Sequence, residues 1–184
     1  LPCIEEAGFE ADDIIATYAC QAADNGAEVL IVSSDKDLMQ MVRPRVTMYD
    51  FESGIPGKPG YRPERRLDRE GVIDKFGVPP ERVTDVQALC GDPTDNVPGV
   101  PGIGIKTAAQ LINEYGDLEA LLARAGEIKQ PKRRETLIEN ADKARRLVAR
   151  LAADFPAQRE RCPAGSHNAL DNAIVTAPAF RDPA

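Results

Sequence analysis

The chain has no tryptophan and one histidine, His167, among 184 residues, and aromatic residues make up only 5%. Its four cysteines, Cys3, Cys20, Cys90 and Cys162, are far apart and form no C-x-x-C pair. That favours reduced, intracellular thiols over a disulfide framework or a zinc site. No apolar run approaches the length of a membrane span and no signal-peptide pattern opens the chain, so no membrane partner is expected and the expected location is cytoplasmic. Positive charge is also short: 23 Lys and Arg against 30 Asp and Glu give a formal net charge of −7. A chain coated in base to hold nucleic acid along its whole surface is thereby excluded. A protein that concentrates acid at a centre and confines base to its flanks is not. Hydrophobic residues, at 42%, suffice for a real core.

The most informative stretch runs from Gly91 to Ala109, GDPTDNVPGVPGIGIKTAA. Its first half offers Asp92 and Asp95 in a loop held by Pro93 and Pro98. Its second half is a Gly/Pro-punctuated turn that opens onto a helical pattern at Ile105. Glycine lets backbone approach a ligand closely. A helix start just beyond presents unsatisfied N–H groups and a positive dipole end to a phosphate. Lys106 adds positive charge on the first turn, where it is favourable only beside an anion. Gly102-x-Gly104 followed by Lys106-Thr107 has the shape of a hairpin that grips duplex backbone without reading bases.

The surrounding pattern reads as an α/β half followed by a helical half. Leu1–Ala7 reads as the end of a strand. A helix is expected from Ala11 to Asn25, with Ile14, Ile15, Tyr18, Ala19 and Ala22 on its apolar face and Gly26 as the stop. Glu28–Val32 reads as a buried parallel strand, Leu38–Val42 as a helical turn or two, and Val46–Tyr49 as a second strand. Glu52–Arg66, rich in Gly and Pro, reads as a surface loop. Further helices are expected over Leu67–Phe76 (with Asp68 as a cap), Pro80–Leu89, Ile105–Tyr115, Leu118–Arg124 (capped by Asp117) and Lys132–Leu151. The Ala-, Pro- and Asn-rich stretch beyond Ala152 reads as a tail.

Acids cluster at three element boundaries: Glu10-x-Asp12-Asp13, Asp35-x-Asp37 and Asp92-x-x-Asp95. Each alone has an ordinary explanation, as dipole-complementing residues or turn formers. Together, and beside the glycine turn, they outweigh it. In open α/β sheets, ligands bind beyond the carboxyl ends of strands, where these groups would meet. Hard oxygen donors without His or Cys favour magnesium or manganese over zinc. Two such ions could activate water and stabilise the leaving oxygen of a phosphodiester.

Taken in order, Gly8-Phe9-Glu10-Ala11-Asp12-Asp13, Ser34-Asp35-Lys36-Asp37, Gly91-Asp92-Pro93-Thr94-Asp95-Asn96-Val97-Pro98-Gly99 and Gly102-Ile103-Gly104-Ile105-Lys106-Thr107-Ala108 resemble the 5′→3′ exonuclease, flap endonuclease-like domain of bacterial DNA polymerase I. The resemblance covers about Leu1 to Leu151. It implies a PIN-like parallel-sheet core over 1–78, whose N-terminal portion is missing, then a helical helix–turn–helix region for duplex DNA over 79–151, and a non-family tail over 152–184.

It also implies that Glu10, Asp12, Asp13, Asp35, Asp37, Asp92 and Asp95 hold metal, two Mg²⁺ (or Mn²⁺), with Asp12, Asp35, Asp37, Asp92 and Asp95 catalytic. Gly99, Gly102, Ile103, Gly104, Lys106 and Thr107 would touch DNA, and loop carbonyls there would hold K⁺. The family's first strand with its aspartate, a second acid and a basic arch are expected upstream of Leu1, so the metal site is expected to be incomplete and a polymerase region to be covalently linked in the full-length protein. Ile105 stands where a glutamate is expected.

Among the other basic residues, Lys129, Lys132, Arg133 and Arg134 are candidates for duplex backbone contact, of which Lys132 and Arg133 are taken as DNA-binding. Arg145 and Arg146 read as a solvated face. His167 is assigned no catalytic role. The expected function is metal-dependent hydrolysis of DNA at 5′ ends or flaps. The competing readings are a duplex-binding module whose acids do no chemistry, and a PIN-type ribonuclease.

Overall fold

In the computed structural model, residues 3–93 and 97–153 are described. The strand expected at Leu1–Ala7 is absent over its described part, which is exposed and irregular. The first helix, α1 (Ala11–Asp24), starts at a capping box in which the Glu10 amide donates to Asp13 Oδ2 at 3.0 Å. Its buried stripe is Ala16, Ala19, Cys20 and Ala23. These small side chains, at i, i+3, i+4 and i+7, let α1 lie close to the sheet. Ile14, Ile15 and Tyr18, larger and expected on that face, sit at its half-buried margin.

Three strands follow: β1 (Val29–Val32), β2 (Val46–Asp50) and β3 (Arg65–Leu67), ordered β1-β2-β3. β1 pairs parallel with β2 and β2 antiparallel with β3. Register places Ile31, Met48 and Leu67 in one row across all three strands, and each is buried. The opposite face of β1 is open, with Leu30 38% and Val32 61% exposed. The apolar run of β1 therefore does not signal a strand buried on both faces. Strand β3 begins inside the expected surface loop and takes Leu67, expected to open a helix, into the sheet; a bridge between Ser53 and Arg62 closes the hairpin ahead of it.

Between β1 and β2 a 3-10 turn, Asp37–Met41, buries Leu38, Met39 and Met41. Helix α2 (Arg69–Phe76) is capped by Asp68, which accepts from the Gly71 amide at 2.9 Å, and it ends at Gly77 with φ 76°. A 3-10 turn at Pro80–Arg82 leads into α3 (Val83–Cys90). α4 (Ile105–Tyr115) and α5 (Leu118–Ala123) follow, the latter capped by Asp117 accepting from Ala120 N at 2.8 Å.

The single helix expected over Lys132–Leu151 is two, α6 (Pro131–Glu139) and α7 (Ala141–Ala153). Asn140 makes the break. Its Nδ2 donates to the Thr136 carbonyl at 2.8 Å, while its own carbonyl accepts from Ala144 N at 2.9 Å. α3 is the hub, packed against α4, α7 and the Asp37–Met41 turn. One apolar cluster runs from Ala16 through Met48 and Val86 to Leu137 and Ala144, so both halves share a core. The tail from residue 154, with His167, lies outside the described residues. Among the described residues no helix is long and apolar enough to cross a membrane.

Candidate acidic site and phosphate-binding turn

Of the strand-end acids, Asp35 is held within its own loop and Asp37 by a side chain of α3. Ser33 Oγ accepts from the Asp35 amide at 3.0 Å, and Asp35 Oδ1 accepts from the Asp37 amide at 2.9 Å, so the loop after β1 is wound tightly on itself. Gln87 Nε2 donates to Asp37 Oδ1. One turn earlier on the same face of α3, Thr84 Oγ1 donates to Gln40 Oε1 at 3.3 Å. Beyond the end of α3, Lys36 forms an ion pair with Asp92, whose side chain is only 4% exposed. Lys36, between the two acids after β1, thus ties that loop to the acid after α3.

The loop carrying Asp92 is held by backbone. Asp92 and Val97 exchange amide–carbonyl hydrogen bonds of 2.7 and 2.8 Å, and Val100 N donates to Leu89 O at 2.8 Å. Gly91 and Gly99 cross in direct backbone contact: a Cβ on Gly91 would meet Val97 O at 2.6 Å. Gly99 therefore secures the loop from a buried position instead of facing a ligand. Asp95 lies outside the described residues.

Glu10 and Asp13 are partners in the α1 capping box, and Asp12 is half-buried beside them. Among the described residues, no three carboxylate, histidine or cysteine side chains come together to hold a metal ion. The donor chemistry suits a hard cation, but the described residues alone do not make a cage for one, and Lys36 supplies the positive charge at Asp92.

The turn into α4 is built as expected, with one reassignment. Val100 and Ile103 are buried, 3% and 5% exposed, and pin the turn to the core. Ile103 can therefore offer a ligand only its backbone. Pro101, Gly102, Gly104, Ile105 and Lys106 are exposed and Thr107 half-buried. Gly104 is the N-cap and provides no side-chain cap; the first turn of α4 holds no acid. Nothing stands within 4 Å of where a Cβ on Gly102 or Gly104 would be. The result is an open helix start with unsatisfied amides and one lysine, a good seat for a phosphate. Lys132 is exposed and Arg133 half-buried at the start of α6, with Arg133 donating to Gln130 Oε1 at 3.2 Å. Arg145 pairs with Glu119 and Asp142, as a solvated helix face would.

Lys36 and Gln87 were not legible as site residues. The signal for Gln87 was a lone amide in the apolar run VTDVQALC; for Lys36, it was the cation between two aspartates.

A small α/β unit whose strand-end acids are clamped to a helical half with an open, glycine-started helix defines a nuclease-type architecture. Residues 1–77 match the family model of the 5'-3' exonuclease, N-terminal resolvase-like domain, and residues 78–163 that of the 5'-3' exonuclease, C-terminal SAM fold. The chain belongs to the 5'-3' exonuclease family.

It is 59% identical over 158 residues to DNA polymerase I of Rhizobium leguminosarum, covering 85% of this chain and 15% of that protein. With DNA polymerase I of Bacillus caldotenax the identity is 40% over 160 residues, covering 86% and 18%. The chain thus spans less than a fifth of the length of these curated relatives. Among solved structures, T5 5'-exonuclease with bound divalent metal ions (zinc) superposes with a TM-score of 0.69 at 21% identity, over 84% of this chain and 54% of that one. A T5 flap endonuclease in a pseudo-enzyme–product complex with DNA and metal ions also gives 0.69, at 20% identity, over 86% and 57%. At these identities the likeness is one of fold.

Proposed function

We propose that the chain is the nuclease portion of a DNA polymerase I-type protein and acts in metal-dependent hydrolysis of DNA phosphodiesters at 5′ ends or flaps. The observation that carries this reading is the open start of α4, with Gly104 as a side-chain-free cap, no acid in the first turn and Lys106 exposed beside it. Such a seat takes a backbone phosphate regardless of base. Gly102 and Thr107 would contact the same strand, and Lys132 and Arg133 would reach duplex further along.

The proposed metal is magnesium or manganese, as two ions, with Asp12, Asp35, Asp37, Asp92 and Asp95 catalytic and Glu10 and Asp13 in support. The all-oxygen donor set and the burial of Asp92 favour this assignment. A potassium ion on the carbonyls of the 98–104 turn, a covalently linked polymerase region and a cytoplasmic location complete the proposal. Cys3, Cys20 and Cys90 are thiols outside any disulfide among the described residues, in keeping with a reducing compartment.

A second reading is favoured by one observation, that no three described acids converge. In it, this chain by itself grips duplex and cleaves nothing. The experiment is a flap-bearing duplex incubated with the chain and magnesium, read for product and for a gel shift against salt. Product that is lost in Asp92→Ala and Asp35→Ala, with the shift retained, supports the nuclease reading. A salt-sensitive shift that weakens about tenfold in Lys106→Ala, without product, supports the second. Neither product nor shift overturns both.

A further inference from the structure

A second cationic site lies away from the turn of α4. In the β2–β3 register Asp50 is opposite Arg65. Arg65 Nη2 lies 3.1 Å from Asp50 Oδ2, and Lys75 Nζ, from α2, lies 3.8 Å from the same oxygen. Asp50 is 1% exposed, and its other oxygen, Oδ1, has no hydrogen-bond partner. One buried carboxylate thus stands under two cations and engages them through one oxygen.

Above them is a cavity of about 310 Å³ lined by Arg65, Arg66, Leu67, Gly71, Asp74 and Lys75. Burial holds the Lys75 ammonium below the ordinary lysine range; Asp50 pulls it back up, while Arg65 and the nearby Arg62 push it further down. The neighbourhood therefore carries four cations (Arg62, Arg65, Arg66, Lys75) against three acids: Asp50, Asp74 and Asp68, whose carboxylate accepts from the Gly71 amide, in a chain whose net charge is −7. Both Arg65, 42% exposed, and Lys75, 25% exposed, can be reached from outside.

We propose that this cavity is an anion site that takes a phosphate group, and that its natural occupant is a backbone phosphodiester of a polynucleotide strand. The lining contains guanidinium and ammonium groups but no aromatic ring, so it recognises phosphate charge and not a base. The site is fixed relative to α4: α2 runs on to Gly77, whose carbonyl accepts from Asn113 Nδ2 of α4 at 2.7 Å. One strand of nucleic acid could then be held at two separated phosphates on a single body. This site does not depend on the α4 start being a phosphate seat.

The test has two arms. In the first, inorganic phosphate is titrated against chloride at constant ionic strength, following the backbone amides of Gly71, Asp74 and Lys75 by NMR. Saturable shifts are expected in the wild type, weakened in Arg66→Gln and lost in Lys75→Gln. In the second, duplex binding is measured against salt. Each variant is expected to bind about threefold more weakly, and the slope of log K against log salt to fall by about one. Arg66→Gln leaves the Asp50 pairs in place, so its thermal melt is expected to match the wild type and keeps the test valid if Lys75→Gln unfolds. Amides unmoved by phosphate overturn the site. Phosphate shifts without any change in the duplex slope overturn the strand backbone as its occupant, as does a chain that binds phosphate but no duplex.

Discussion

Gly99 rests directly on the backbone of Gly91: a Cβ placed on Gly99 would stand 2.5 Å from Gly91 N and 2.6 Å from the Cys90 carbonyl carbon. Neither neighbour is a side chain that can swing away. With φ at 58°, Gly99 also occupies the left-handed region. Gly99→Ala is therefore expected to destabilise the fold by about 2–4 kcal/mol, overpacking and left-handed strain acting together. Urea denaturation checks this, and a midpoint unchanged from wild type would show that the crossing is looser than described.

The pair of Lys36 and Asp92 gives a second prediction. Lys36→Met takes the ammonium away from a carboxylate that is 4% exposed. Because Lys36 itself is about a third exposed, the loss is expected to be about 1–3 kcal/mol, below that of a fully buried pair. Lys36→Met combined with Asp92→Asn is expected to recover part of it, and a double-mutant cycle measures the coupling. Magnesium is expected to raise the melting temperature of Lys36→Met more than that of wild type, because the cation no longer competes with an ammonium for Asp92.

Asp85 predicts a pH dependence. Burial in α3 pushes its carboxyl up, only partly offset by Arg82 at 3.5 Å and by the Leu118 amide, and Asp117 adds to the rise. A raised carboxyl pKa means that the folded chain holds more protons than the unfolded one in that window. Stability at this site therefore falls as pH rises through it. Asp85→Asn, which can still accept from the amide, is expected to melt higher than wild type at neutral pH. The gap should close as pH drops towards about 4. Melting curves across that range decide it.

Asp117 caps α5 through the Ala120 amide and lies 3.7 Å from Arg82. Asp117→Ala is expected to cost about 1 kcal/mol, and Asp117→Asn much less, since the cap needs an acceptor and not a charge. Chemical denaturation of the two variants separates these outcomes.

The sequence by itself determined the elements whose causes are local. Asp68 and Asp117 announce the starts of α2 and α5, and the glycine turn before Ile105 opens α4 at the expected residue. Side-chain period, caps and φ preferences act within a few residues, so a chain read in order shows them. What only the tertiary structure decided are pairings across long separations: the Lys36–Asp92 ion pair, the Gln87–Asp37 hydrogen bond, the backbone crossing of Gly91 and Gly99, and the Asp50 cluster with Arg65 and Lys75. The same is true of the open face of β1, because an apolar run does not state how many of its faces will be covered. Such contacts depend on which elements the shared core brings together, and packing settles that for the whole chain at once.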